Sequence, residues 1–347
     1  MKLRRQVIGT ATAGAMLCLP LAANAAADIY GKIHLSADYM DTGATEGHAL
    51  SNNASRIGLK GKEQITDSVK AFFKIEFETT FEESTIDGKD TIFKARDHYF
   101  GFESKSGNLQ FGYYDTPAKL LGKKFEQFGD TIGDRRGILG YDYQRGKKFD
   151  IRDDDAVMYS SPSIAGLIVR LMRSAGSTSS DIADGADNSP VTSMSALYDT
   201  KKYYFGVAYE DQEKIKVSAL RFVGGVAFAS VKLNAIFEQL SSDAQPGSDR
   251  SAYGISGSYG LGAYTLKAQA MVADDLADES DTGAYAISAA LFKKLSKTLE
   301  IYGMASRLEN GDNAEYRLTG SGHGNDYKPS GAGANMHSVS AGLIYKF

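Results

Sequence analysis

The chain has 347 residues, a formal net charge of −4 and no dominant basic cluster, so nothing in its charge supports a nucleic-acid partner. Its length permits one large barrel or two ordinary domains. Glycine, tyrosine and phenylalanine are abundant, at 37, 20 and 17 residues, whereas tryptophan is absent. This composition suits β-strands, tight turns and aromatic girdles.

Residues 1–25 are typical of a secretory signal peptide. A basic start (MKLRR) precedes an apolar run over residues 7–21 and the small-residue cleavage site Ala23-Asn24-Ala25. We therefore predict an exported chain with a single domain at residues 26–347. The only cysteine, Cys18, lies in the predicted signal, which excludes disulfide and thiol chemistry from the mature chain.

Alternation of apolar and polar residues begins directly after the signal and predicts β-strands. It covers residues 28–40, where Ile29, Ile33 and Leu35 share a face, and recurs over residues 55–63 and 69–80. Residues 41–53 between them are predicted to be a polar loop. Further strands are predicted at residues 95–103, 108–114, 155–161, 167–173, 192–200, 203–210, 215–223, 227–238, 253–259, 263–273, 284–291, 299–307 and 336–347. The total is roughly 16 antiparallel strands, with no linker to a second domain.

The connections between these strands alternate in length. Short ones, such as the glycine pair at residues 224–225, take turns with long polar ones at residues 81–94, 176–190, 240–250, 274–283 and 309–335. Alternating strands alone fit a soluble sandwich as well as a membrane barrel, because either gives each strand one apolar face. Short turns on one rim and long loops on the other are typical of outer-membrane barrels.

One stretch breaks the pattern, from Thr116 to Gly140. Its apolar residues Leu120, Leu121 and Phe125 fall nearer a helical spacing. A connection of this length inside an all-β domain is uncommon and usually functional or disordered. We predict that it folds inward as a plug or constriction of a closed barrel.

Several motifs resemble those of the Gram-negative general porins. They are SRIGLKGKE followed by VKAFFKIEFE, then NLQFGYYDTPAK, Arg152 in RDDDAVMYSSPSIAG, and the ending SAGLIYKF. In that ending, Gly342, Tyr345 and Phe347 look like the outer-membrane assembly signal. The resemblance extends from about residue 28 to residue 347. It implies a homotrimer of all-β, transmembrane antiparallel barrels of 16 strands, each with its third long loop folded into the pore, and that loop matches residues 116–140.

The resemblance also implies a function and its residues. Such a porin is a water-filled channel for passive diffusion of ions and small hydrophilic solutes, and it needs no cofactor or metal. The barrel assembly machinery inserts it into the outer membrane, where lipid and lipopolysaccharide surround it. Basic groups of the wall face acidic groups of the inserted loop. The wall candidates are Arg56, Arg96, Arg152, Lys60 and Lys74, and the loop candidates are Glu126, Asp130 and Asp134. Tyr113 stands where family members often carry arginine, which leaves ion selectivity open.

Two further regions carry minor hypotheses. Residues 81–94 lie where family members latch onto a neighbouring subunit. Acidic clusters at residues 153–155 and 274–281 have the oxygen ligands that divalent cations prefer, although we expect solvated charge there.

Three alternatives remain. A substrate-specific channel for sugars or anions fits the tyrosines near the inserted stretch. A barrel enzyme is disfavoured, because the five histidines are scattered and neither a Gly-x-Ser-x-Gly elbow nor a His-Glu-x-x-His motif occurs. An adhesin or purely structural barrel would not need an inserted loop.

Overall fold

The computed structural model describes residues 26–81, 92–142, 147–176, 190–243, 247–325 and 327–347. The predicted signal peptide lies outside this part of the chain. So do most of residues 81–94, which are predicted to contact a neighbouring subunit, and most of residues 176–190. The strands are β1 (Ala26–Asp41), β2 (Glu46–Asn52), β3 (Arg56–Thr66), β4 (Val69–Thr79), β5 (Phe93–Ser104), β6 (Gly107–Asp115), β7 (Tyr141–Asp142), β8 (Lys147–Lys148), β9 (Arg152–Ser160), β10 (Leu167–Ser174), β11 (Val191–Asp199), β12 (Tyr203–Gln212), β13 (Val217–Phe228), β14 (Val231–Ser242), β15 (Arg250–Leu261), β16 (Tyr264–Ala273), β17 (Ala284–Lys294), β18 (Leu299–Asn310) and β19 (Met336–Lys346). Helix α1 (Pro117–Gly122) and a 3₁₀ turn (Arg135–Gly137) lie between β6 and β7.

The sheet closes on itself into an antiparallel barrel. On one side β1 pairs with β19, from Lys32 opposite Lys346 to Asp41 opposite His337, and on the other side it pairs with β2 and β3. Because β2 and β3 both pair with β1, they form one wall strand that is interrupted near Ala54, where φ is 48°. The described wall therefore has 16 strand positions, which confirms the predicted fold class.

The alternation of side chains sorts them to the two faces of the wall. Outward residues are apolar and exposed, as Phe205 at 61% and Ile255 at 66% illustrate. Inward residues include charged groups buried in the lumen, such as Glu210 and Glu238, each 1% exposed. Apolar outside and polar inside is the pattern of a barrel surrounded by lipid. Among the described residues, no helix is both long and apolar enough to cross a membrane.

The loop predicted at residues 41–53 is wrong over most of its length. Strand β2 occupies residues 46–52 and pairs with β1 from Asp41 opposite Glu46 to Leu35 opposite Asn52. The sequence EGHALSN hides this strand because its residues give neither face an apolar stripe.

The turn predicted at Gly224 and Gly225 is also wrong. Strand β13 runs through both glycines to Phe228, and the chain turns at Ala229, whose φ is 48°. A methyl group at Gly225 would lie 2.3 Å from Cε1 of Tyr204. This glycine therefore serves close packing against a ring inside a strand rather than a turn.

Candidate functional site

The stretch from residue 116 to residue 140, called the inserted segment below, begins with a capped helix. Thr116 is extended, and its Oγ1 accepts a hydrogen bond from the backbone N of Lys119 at 3.3 Å. Pro117 follows at the first helical position, where its missing N–H is no loss. The helix ends at Gly122, earlier than the spacing of the apolar residues predicts, and the rest of the segment consists largely of turns.

One side of the inserted segment is apolar and buried. Leu121, Phe125, Phe128, Ile132 and Ile138 are each at most 2% exposed. They belong to the same apolar cluster as inward side chains of the wall. The segment therefore packs onto the inner face of the barrel, and the hydrophobic effect fixes it there.

Inward side chains of the wall hold the backbone of the segment. Arg221 of β13 donates to the carbonyl of Ala118 at 2.8 Å, and Ser256 of β15 donates to that of Phe125 at 2.9 Å. Gln269 of β16 donates in the same way to the carbonyl of Gly133. The carbonyls of Phe125 and Gly133 lie outside any helix or strand, so the wall side chains satisfy acceptors that regular secondary structure does not.

A buried network of ion pairs anchors the end of the segment. Asp150 pairs with Arg135 of the segment and lies 2.6 Å from Arg221 Nη1, while Arg221 Nη2 lies 2.8 Å from Glu238 Oε2. Glu238 also accepts a hydrogen bond from the backbone N of Gly140 at 2.6 Å. Burial alone would raise the pKa of Asp150, but the two arginines outweigh it and hold that pKa below its ordinary value.

The opposite side of the segment reaches the wall through Asp130. Its Oδ2 lies 2.9 Å from Lys32 Nζ of β1 and 2.8 Å from Arg56 Nη2 of β3, and its Oδ1 lies 3.1 Å from Arg136 Nη2. Burial opposes the charged form, but Lys32 and Arg56 hold the pKa of Asp130 well below its ordinary value. Asp130 is thus a charged bridge from the inserted segment to β1 and β3.

The other two acidic candidates pair within the segment itself. Asp134 accepts hydrogen bonds from the backbone N of Arg136 and of Asp130, both at 2.9 Å, and caps the 3₁₀ turn. Glu126 Oε2 lies 3.0 Å from Arg135 Nε. Burial, together with the charge of Asp134, raises the pKa of Glu126 to about 7. Both side chains therefore contribute to the shape of the segment, and neither pairs with a predicted wall residue.

The basic candidates of the wall lie beside acidic residues that the sequence analysis missed. A bulge in β5 sets two residues opposite Glu76 of β4, so that Arg96 and Asp97 both face inward. Arg96 Nε lies 2.8 Å from Glu76 Oε1, and Asp97 lies 2.7 Å from both Lys74 Nζ and Arg152 Nε. The lumen wall thus carries interleaved charges of both signs.

A second missed carboxylate, Asp115, lies where β6 passes into the segment. Its Oδ1 is 2.9 Å from Lys119 Nζ and 3.2 Å from Arg152 Nη2, and Lys123 also pairs with it. Burial lowers the pKa of Lys119 to about 8, despite the opposing charge of Asp115.

Lys60 differs from the other basic candidates. It is exposed and lies 5.3 Å from the centre of the Tyr30 ring. No carboxylate in the described part of the chain forms an ion pair with it.

The missed residues differ in how visible they are in the sequence. Lys32 shares the inward phase of β1, so phase alone was a sufficient signal. Asp97 has no such signal, because simple alternation with Arg96 would turn it outward and only the bulge turns it inward.

The three residues of the predicted assembly signal lie at the seam between β1 and β19. The backbones of Phe347 and Gly31 bond each other at 2.9 and 3.2 Å, and a methyl group at Gly31 would lie 2.2 Å from the Phe347 ring. Tyr345 faces outward, and Gly342 makes room for the ring of Tyr302.

The acidic run at residues 274–281 is engaged in its own turn. Asp275 Oδ1 accepts hydrogen bonds from the backbone N of Thr282 at 2.9 Å and of Gly283 at 2.7 Å. Among the residues that the structure describes, no group of three or more His, Cys, Asp and Glu side chains is arranged to hold a metal ion.

The family follows from a comparison of the whole sequence with known protein families. A model of the Gram-negative porin family matches residues 10–313. The chain belongs to that family. This confirms the resemblance and the predicted localisation, and the porin is an outer-membrane β-barrel.

Individual proteins resemble this porin in sequence or in structure. It is 29% identical over 215 residues to an outer-membrane porin protein of Bordetella pertussis, in an alignment that covers 60% of this chain and 49% of that one, so the chain spans about half the length of this curated relative. The anion-selective porin from Comamonas acidovorans superimposes with a TM-score of 0.79 at 19% identity, covering 93% of this chain and 100% of the other. The trimer form of OmpT, an outer-membrane protein of Vibrio cholerae, gives 0.67 at 14% identity, covering 93% and 99%.

Proposed function

We propose that this porin forms a water-filled channel through which ions and small hydrophilic solutes diffuse passively, and that the inserted segment narrows it. The supporting observation is the bridge at Asp130. The segment is fixed along β13, β15 and β16, and Asp130 also reaches Lys32 and Arg56 on the other side of the lumen. A segment held on both sides divides the cross-section of the barrel.

The charges around this segment would bias which ions pass. We propose that Arg56, Arg96, Arg152, Lys60 and Lys74 act from the wall. On the segment we propose Glu126, Asp130 and Asp134. A low-dielectric wall focuses the field of such groups into the lumen. Since most of them are paired, the field acts across the channel more than along it.

Currents across a planar bilayer test this function. Purified porin with a salt gradient across the bilayer should give large steps that close in threes under voltage, and the reversal potential reports the ion preference. No current from a correctly folded, heat-modifiable barrel would refute the channel.

A second candidate, a channel specific for an anionic solute, is supported by Lys60. Its ammonium group faces the lumen without an ion-pair partner in the described residues, and a structurally similar porin is described as anion-selective. Small currents that one particular anion blocks would favour this candidate over general diffusion.

We propose no catalytic activity for this chain. Family and fold support a channel, and Arg56, Arg96 and Arg152 are engaged in ion pairs that shape the lumen. Conversion of a lipid or peptide substrate by purified porin, lost when the lumen is blocked, would contradict this.

The partners follow from the same proposal. We propose a homotrimer, supported by the trimer form recorded for OmpT of Vibrio cholerae. We further propose that residues 1–25 are removed on export, that the assembly machinery reads Gly342, Tyr345 and Phe347, and that lipopolysaccharide surrounds the barrel. Deletion of residues 83–89 should loosen the trimer in unheated gels, and N-terminal sequencing should begin at Ala26.

A further inference from the structure

The connection between β18 and β19, residues 311–335, turns into the barrel. Ala314, Tyr316 and Leu318 are at most 2% exposed and belong to the apolar cluster that also contains the core of the inserted segment. The guanidinium of Arg250 lies 5.6 Å from the centre of the Tyr316 ring. This connection was predicted as a polar loop, yet its first half is packed like a protein interior.

The same connection lies directly on the inserted segment. Arg136 donates to Ser321 Oγ at 3.3 Å. A methyl group at Gly320 would lie 2.7 Å from Cγ of Asp134, and one at Gly322 would lie 2.1 Å from Oδ1 of Asp130. At contacts this short, a side chain at either glycine would force the facing carboxylate to shift, so the backbone of the connection covers both carboxylates.

The other side of the connection is held by the wall. His323 Nε2 lies 3.1 Å from Asp38 Oδ2 of β1, and Asn325 donates to Ser51 Oγ of β2 at 2.8 Å. A methyl group at Gly324 would lie 2.6 Å from backbone atoms of Asn52. The sequence GSGHGN thus fits between the inserted segment and the wall, with a glycine at each point of closest approach.

We propose that residues 316–325 are a second inserted segment, which narrows the channel and holds the Asp130 carboxylate in its place between Lys32 and Arg56. Gly320, Gly322 and His323 are positioning residues in this arrangement. The inference rests on the proposed channel function and adds a specificity determinant to it. Lys32, Arg56 and Arg136 fix Asp130 by charge, but the backbone at Gly322 closes the remaining side. A bulkier residue there would push the carboxylate out of its bridge.

Alanine substitutions at two glycines of this connection test the positioning role. Gly322→Ala should shift the reversal potential at low salt, because it displaces Asp130. Gly331→Ala is the matched control, because no atom lies within 4 Å of the added methyl group, and it should leave the reversal potential unchanged. In an Asp130→Ala background the shift caused by Gly322→Ala should vanish. An equal shift in that background would overturn the positioning role.

A deletion tests the narrowing. The backbone N of Gly333 donates to the carbonyl of Ala314 at 3.0 Å, so a two-residue turn can replace residues 315–332 without moving the flanking chain. Single-channel conductance should rise, and larger sugars should enter liposomes. Suppose that the wild-type porin conducts, that the deletion variant has the wild-type conductance, and that Gly322→Ala has the wild-type reversal potential. The second inserted segment is then refuted, while the proposed channel function is retained. If the wild-type porin carries no current, the channel itself fails.

Discussion

Replacing Arg56 and Arg152 by alanine should shift the ion preference of the channel toward cations. Each guanidinium neutralises carboxylates that would remain behind: Asp130 for Arg56, and Asp97 and Asp115 for Arg152. The double substitution to alanine therefore removes two positive charges from the narrow part of the lumen and leaves its negative charges in place. The free energy of a cation in the lumen falls as a result, and that of an anion rises by the same amount.

The size of the effect follows from Coulomb's law. A unit charge about 7 Å from the path of an ion acts with about 0.6 kcal/mol in water, and screening at 0.1 M salt halves this to about 0.3 kcal/mol. Two charges, acting in opposite senses on cation and anion, change the difference between them by about 1.2 kcal/mol, or about eightfold in the permeability ratio. At 1 M salt, where the Debye length is about 3 Å, about 1.5-fold remains.

The assay is the reversal potential of purified porin in bilayers, at both salt concentrations. Arg173→Ala with Arg307→Ala is the matched control, because these two arginines face outward and are 52% and 62% exposed at their side chains. It should leave the reversal potential near that of the wild type. Lysine at positions 56 and 152 should largely preserve it. An unchanged potential at 0.1 M in a correctly folded double variant would refute the role of both arginines.

Three further predictions concern pH and the anchoring of the inserted segment. Lowering the pH from about 9 to about 6 should shift the reversal potential toward anion preference. Lys119, with a pKa of about 8, gains its positive charge over this range, and Glu126, with a pKa of about 7, loses its negative charge. Glu126→Gln should remove the part of the shift that occurs near pH 7, and a reversal potential that does not change with pH would count against both groups. Arg221→Met takes one arginine from Asp150, which keeps Arg135, and one from Glu238, which keeps Arg250 at 3.6 Å. It should cost about 3 kcal/mol of unfolding free energy in denaturant, the lower end of the range for a broken buried pair, whereas a loss below about 1 kcal/mol would contradict the anchoring network. Thr116→Ala removes the cap of α1 and should cost about 1 kcal/mol in the same assay, with Thr116→Ser near wild type as the control.

Alternation was sufficient to predict the wall, because a barrel in lipid gives every strand one apolar face. It failed where a strand has no apolar stripe, as in β2, and where glycine serves packing rather than a turn, as at Gly225. Both failures have one physical cause. The pattern reports which face is apolar, whereas β2 is held by its backbone bonds to β1, and Gly225 accommodates a ring from the neighbouring strand.

The sequence was sufficient to predict which segment enters the barrel and several of the charged residues of the site. It was not sufficient to predict which of these residues form ion pairs with each other. The break in alternation at residues 116–140 and the inward phase of Arg56 are properties of local sequence. The partner of Arg56 is Asp130, which lies far from it in the chain, and Asp97 faces inward only because of the bulge in β5. The cover over Asp130 comes from Gly322, near the other end of the chain, and local sequence carries no sign of such a contact.

The seam between β1 and β19 affects how the barrel folds. Gly31 and Phe347 bond each other from opposite ends of the described chain, so the wall closes only after all the strands between them are present. Pairings this distant in sequence form slowly, since the loop entropy is lost before the contact is gained. Until then the free edges of β1 and β19 can each pair with another chain. The time between export and closure is therefore the period of greatest aggregation risk, and a factor that shields or templates these two edges would control the yield of folded barrel.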